Sequence, residues 1–195
     1  MRQGINPSKY EDETFIHYSI PAFDSGCMPT LEQGESIKSN KYLVFEESIL
    51  LSKLNPRIPR VWLPFSNKNY QSIASTEFLV IEPKQPINRS FLFIMFQSSE
   101  FSDKFVGLAL GTSTSHQRVK PNDFLGMNIL LPSNFILEHF DNLASGILSQ
   151  TNNLRLKNHN LRQTRDFLLP KLISGEIDVE DLDIDRGIEE DVPWK

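Results

Sequence analysis

A seven-residue repeat runs through the last third of the chain and constrains it more than any other feature. Phe140, Ile147, Leu154, Leu161 and Leu168 are spaced seven apart, and between them fall Ile136, Leu143, Gln150, Lys157 and Thr164. The first seam stays apolar and the second turns from apolar to polar. A sustained heptad of this kind is the pattern of a helix that packs along one seam against another helix. No proline interrupts residues 133–169, and at 1.5 Å rise per residue such a helix is a rod of roughly 55 Å. Ser133, after Pro132, is the expected N-cap. Pro170 is expected to end or kink the helix, because it has no N–H and clashes with the preceding turn. Gly175 is a second stop signal. The spacing alone also fits an ordinary long core helix. The length of the stretch and the polar second seam favour a specified partner.

The remaining sequence is β-rich. The runs at 15–23, 43–54, 61–65, 76–83 and 126–132 are aromatic and β-branched and read as strands, with Pro21 confining the first to an edge or a strand end. FLFIMFQ, at 91–97, reads as a strand or equally as a buried helix, and 101–110 as a short helix. Residues 24–42 carry turn chemistry around Gly26, Pro29 and Gly34, and 111–123 is a polar loop. The fold class expected is α+β: a β-rich globular domain over 1–132, a long helix over 133–175 and an acidic tail over 176–195.

Charge follows the same division. The net charge is -5, a sign unsuited to a DNA-binding chain, but the charges are unevenly distributed. Residues 1–132 balance 13 Lys/Arg against 13 Asp/Glu, 133–175 carry 5 against 3, and 176–195 carry 2 against 9. The acidity belongs to the tail, and the body is free to present a locally basic face. The single cysteine, Cys27, excludes an internal disulfide framework. No apolar run reaches membrane-spanning length and the N-terminal residues carry no signal-peptide pattern. A cytoplasmic protein without a membrane partner is expected.

The run LRQTRDFLLPKLISGEIDV, residues 161–179, closely resembles the end of the specificity (S) subunits of type I restriction-modification systems. There a long helix is followed by a Pro-Lys-Leu-x-Ser-Gly-Glu-Ile close. YSIPAFDSG (18–26), the Gly34-x-x-Ile-x-Ser39 run and ILLSKLNPRIPRVW (49–62) resemble the opening half of that family's target recognition domain. STEFLVIEPK (75–84) and GTSTSHQRV (111–119) resemble its later half. The resemblance covers nearly the whole chain, and the order of the segments carries more weight than any one of them. It implies a chain that binds double-stranded DNA and does no bond-making itself. S-adenosylmethionine would sit on a modification (methyltransferase) subunit, and ATP with magnesium on a restriction (translocase/nuclease) subunit. A full S subunit carries two recognition domains and two long helices, whereas this chain carries one of each. It reads as a half-length form or a fragment, without the Trp-x-x-x-x-Leu-Gly-Asp strand and turn expected before YSIPAFD. A homodimer through the long helix would restore two domains, and it would read two identical half-sites inverted about a spacer.

The residues agree with a non-enzyme. No phosphate-binding GxxxxGK[ST] or dinucleotide GxGxxG motif is present. His17, His116, His139 and His159 lack metal-ligand spacing, so no metal site is expected. Cys27 sits in no recognisable nucleophile signature. Three loops combine cations with amides or hydroxyls and form the candidate DNA interface. They are Lys38, Ser39, Asn40 and Lys41; Lys53, Asn55, Arg57 and Arg60; and Ser113, Thr114, Ser115, His116, Gln117, Arg118 and Lys120. Arg suits the guanine O6/N7 edge and Asn or Gln the adenine N6/N7 edge, while Lys, Ser and Thr suit phosphate. Gln117 and Arg118 are the first choice for base contact. Each of these residues taken alone is equally an ordinary exposed loop residue. Two other readings stay open: a truncated S fragment that docks other subunits without reading DNA, and an unrelated β-domain with an oligomerising helix that uses Cys27.

Overall fold

Strand ILLS, residues 49–52, is buried at every position, so its side chains must be taken up on both faces. That requirement organises the globular part into layers. The computed structural model describes residues 3–65, 69–110 and 117–179. The elements in chain order are β1 (Gly4–Ile5), a 3₁₀ turn (Pro7–Lys9), β2 (Thr14–Tyr18), α1 (Ile20–Asp24), β3 (Thr30–Gln33) and a second 3₁₀ turn (Gly34–Ser36). There follow β4 (Lys41–Val44), β5 (Ile49–Ser52), β6 (Val61–Trp62), β7 (Gln71–Ser75), β8 (Phe78–Ile81), α2 (Arg89–Phe96) and α3 (Ser99–Gly107). The last are β9 (Ala109–Leu110), β10 (Arg118–Val119), α4 (Pro121–Leu125) and α5 (Asn134–Ile173). The architecture is α+β: mixed sheets plus a long C-terminal helix.

The chain divides into two compact units, residues 1–152 and 153–195. In the first, β6-β5-β8 form an antiparallel sheet. One of its faces presents Ile49, Leu51, Val61 and Leu79 to Leu92, Phe93 and Phe96 of α2 and to Phe101 and Phe105 of α3. The other presents Leu50, Trp62 and Phe78 to Ile16, Tyr18, Val44 and Ala74 of the five-stranded sheet. That sheet has the order β1-β4-β7-β2-β3, with β2 and β7 parallel and the other pairs antiparallel. Tyr18 and Trp62 meet edge to face at 4.8 Å between ring centroids, which locks the two sheets together. Phe15, Ile37 and Ile73 form a smaller cluster on the far face.

Several sequence expectations are corrected here. Of the two readings open for 91–97, the helix holds, over Arg89–Phe96: Asn88 caps it through Phe91 N–H at 2.8 Å, and Leu92, Phe93 and Phe96 bury one face at helical spacing. Residues 20–24 are also helical, capped by Ser19, because Pro21 falls in the first turn, where its missing N–H costs nothing. Thr30–Gln33 is an edge strand rather than turn, paired along β2. Residues 126–132 form no strand, and Leu130 is 85% exposed there. The long helix does not stop at Pro170 but runs to Ile173. Proline this close to the end removes one hydrogen bond from a terminal turn. The stop is supplied by Gly175, at φ 72, where the N–H groups of Glu176 and Ile177 fold back to Lys171 O.

The first turns of α5 belong to the globular unit. Leu137 and Ala144 are buried, Leu148 packs on the helical side of the core, and Phe140 meets Phe91 edge-on at 6.2 Å. Asn88 Nδ2 donates to Leu137 O at 3.0 Å. In the second unit α5 leaves Leu154 and Leu161 in water.

Candidate nucleic-acid interface

Strand register brings the first two candidate loops to one edge of the globular unit, together with the described part of the third. Lys41 opens β4 opposite Ser75, the last residue of β7. The chain turns there into β8, and Lys53 N–H donates to Glu77 O at 3.0 Å. Lys53 O accepts Val119 N–H at 3.0 Å, Leu54 bridges Arg118, and Asn55 N–H donates to Gln117 O at 2.8 Å. Asn55 adopts φ 46, a left-handed turn conformation that asparagine tolerates. Residues 38–41, 53–55, 75–77 and 117–120 thus form one continuous backbone neighbourhood, built from segments far apart in the chain.

The side chains are not equally disposed. Lys38, Ser39, Asn40, Arg57 and Lys120 are exposed, and Lys53, Asn55 and Gln117 are half-buried. Arg57 lies on the loop closed by Ile58 N–H to Asn55 O at 3.0 Å. Lys41 is buried, with its ammonium on Ser39, and burial holds it below the ordinary lysine value although Glu32 pulls the other way. Beside it, burial holds His17 below its ordinary value and therefore neutral at pH 7. The 3.0 Å contact from its Nδ1 to Glu32 is then a hydrogen bond donated to the carboxylate, not an ion pair. Arg60 is buried too. Its Nε and Nη2 donate to Asp24 Oδ1 and Oδ2 at 2.7 and 2.9 Å, a fork that anchors the 55–60 loop to α1. Ser113, Thr114, Ser115 and His116 lie outside the described residues, as does most of the acidic tail.

Arg118 stands on the exposed side of the edge and forks onto Glu77. Its Nε lies 3.2 and 3.0 Å from the two carboxylate oxygens and its Nη2 lies 3.0 Å from Oε1. Nothing in the sequence singles out Glu77, because an acidic residue is not an obvious part of a DNA face. Of the expected helix seam, Ile136, Leu143, Ile147, Gln150, Leu154, Lys157, Leu161 and Thr164 are exposed, and Leu168 is half-buried. Phe140 is half-buried inside the first unit. Among the described residues no group of three or more His, Cys, Asp or Glu is placed to hold a metal ion. No helix among them is long and apolar enough to cross a membrane.

No protein-family model matches the sequence, and no curated protein matches it. Solved structures do match the fold. A chain from a structure describing complex assembly and conformational transition of the type I R-M system aligns with TM-score 0.62 and 20% identity, over 96% of this chain and 49% of that one. The HsdS subunit from Thermoanaerobacter tengcongensis aligns with TM-score 0.61 and 18% identity, again over 96% and 49%. The fold is that of an HsdS specificity subunit. The chain spans about half the length of the HsdS chains it matches. The HsdS-like fold takes in the β-rich unit and α5 alike, since nearly all of the chain aligns.

Proposed function

We propose that this chain is the DNA-recognition module of a type I restriction-modification system. In this reading the edge carrying Lys38, Lys53, Asn55, Arg57, Gln117, Arg118 and Lys120 meets DNA. Arg118 and Gln117 read base edges, and the lysines hold phosphate and set register. The long helix pairs with a second copy and spaces two recognition units over an inverted, two-part target. Adenine methylation with S-adenosylmethionine belongs to a modification subunit docked on the complex, and ATP-driven cleavage to a restriction subunit. The observation that carries the reading is the convergence of the described candidate residues, 38–41, 53–55 and 117–120, on one edge within an HsdS-type fold. Lys41 and Arg60 support that edge from inside: both are buried, and Arg60 holds its loop through Asp24.

The test is a methylation map. The chain is co-expressed with the modification subunit encoded beside it, in a host without other methylation, and methylated adenines are sequenced. A two-part inverted target is expected. A soluble complex that methylates nothing would leave a docking protein without DNA readout and overturn the proposal.

A further inference from the structure

The Arg118–Glu77 pair has a construction that stability does not explain. Its two residues lie 41 positions apart, yet both backbones are registered on the same two residues: Lys53 N–H donates to Glu77 O, Lys53 O accepts Val119 N–H, and Leu54 bridges Arg118. Glu77 is fixed further by its own N–H donating to Ser75 Oγ at 3.3 Å. The side chains are 45% and 27% exposed, and ion pairs at that exposure add little to folding. The carboxylate also stands on the edge that the proposed function presents to DNA, where a negative charge repels phosphate. A fork whose two residues are both tied into the backbone of one edge, weak in stability and unfavourable in charge, is suited to fixing the plane of a guanidinium.

We infer that Glu77 is a positioning residue for base recognition by Arg118. Glu77 takes the Nε–H and one Nη2–H of the guanidinium and holds the group in one orientation. A base edge presented in that plane is accepted, and a phosphate, which would be satisfied by any orientation, must compete with the carboxylate for the same donors. The residue thereby trades non-specific affinity for discrimination, the repulsive half of a specificity device. This inference rests on the DNA-recognition reading.

The experiment compares the complex of full-length chain and modification subunit as wild type, Glu77→Gln, Glu77→Asp and Arg118→Ala. Each is passed over a randomised duplex library, and its affinity for the enriched and a scrambled duplex is then measured. Glu77→Gln is expected to tighten scrambled-duplex binding, to make one position of the enriched motif degenerate, and to lower the specific-to-scrambled ratio roughly tenfold. Its thermal midpoint should stay at the wild-type value, and Glu77→Asp should restore part of the ratio. Arg118→Ala should lose discrimination at that same position. A Glu77→Gln motif and ratio equal to wild type, or degeneracy at a different position from Arg118→Ala, overturns the inference while leaving DNA recognition standing. A wild-type complex that enriches no motif overturns both.

Discussion

Replacing Asp24 with alanine is expected to destabilise the β-rich unit by about 2–3 kcal/mol, although the Asp24 side chain is itself half exposed. The loss lies on the other side of the pair. Arg60 is 7% exposed, its guanidinium donates two hydrogen bonds to Asp24, and its Nη1 finds no partner among the described residues. Removing the carboxylate leaves a buried charge with neither counter-ion nor acceptor, which costs far more than the pair itself contributes. Arg60→Met keeps the apolar stem packed and removes the charge, so it should cost less than Asp24→Ala. The double variant should therefore be more stable than the sum of the single losses predicts, because the unpaired charge is gone. Urea midpoints at unchanged m-value would measure this, and a double variant as unstable as that sum would refute it.

The same pair gives a pH dependence with a definite sign. Hydrogen bonding to Arg60 holds the Asp24 carboxyl below its ordinary value of 3.8. The unfolded chain binds the proton more readily, so the pair's contribution is fully present above that ordinary value. It is lost as the pH falls through the lower folded value. Asp24→Asn should therefore be less stable than wild type at neutral pH, and the two should converge in strong acid.

Arg60 also shows what the sequence leaves hidden. In ILLSKLNPRIPRVW it reads as one more loop cation beside Arg57, and the two differ only in tertiary context. Asp24, the residue that claims Arg60, lies 36 positions upstream in a different element. Glu77 is hidden for the same reason, since its meaning depends on Arg118, 41 residues away. What is legible is local and periodic: the heptad of α5, the apolar runs of β5 and β8, and the dense run at 161–179. The segment Gln71–Ser75 looks polar and carries no strand pattern, yet β7 sits mid-sheet between β4 and β2, with Ile73 and Ala74 fully buried. FLFIMF carries no alternation, so only its surroundings settle it as helix. The buried face of α5, Leu137, Ala144 and Leu148, is overshadowed in the sequence because the more regular spacing of seven points to a different seam.

Converting Leu154 and Leu161 together to aspartate is expected to abolish the proposed pairing of two copies through α5 while leaving each copy folded. Both belong to the second unit and are 64% and 69% exposed, so neither supports its own chain's core. They stand seven residues apart on one face of α5, the spacing at which a second helix accepts them as knobs. Burying a leucine is worth about 1.5–3 kcal/mol, and a two-fold pair buries four of them. Placing charges there instead should weaken the proposed dimer by at least about 100-fold. Sedimentation equilibrium at micromolar concentration reads the change directly, and far-UV circular dichroism checks that the helix persists. A monomeric wild type, or a variant that still dimerises, removes the helix seam as the self-association surface. Methylation mapping of the same variant then separates two assemblies. Loss of the two-part target ties recognition of both halves to pairing of the helices. Persistence of that target means that two copies are brought to the DNA by contacts other than Leu154 and Leu161, and that this face of α5 meets a different subunit.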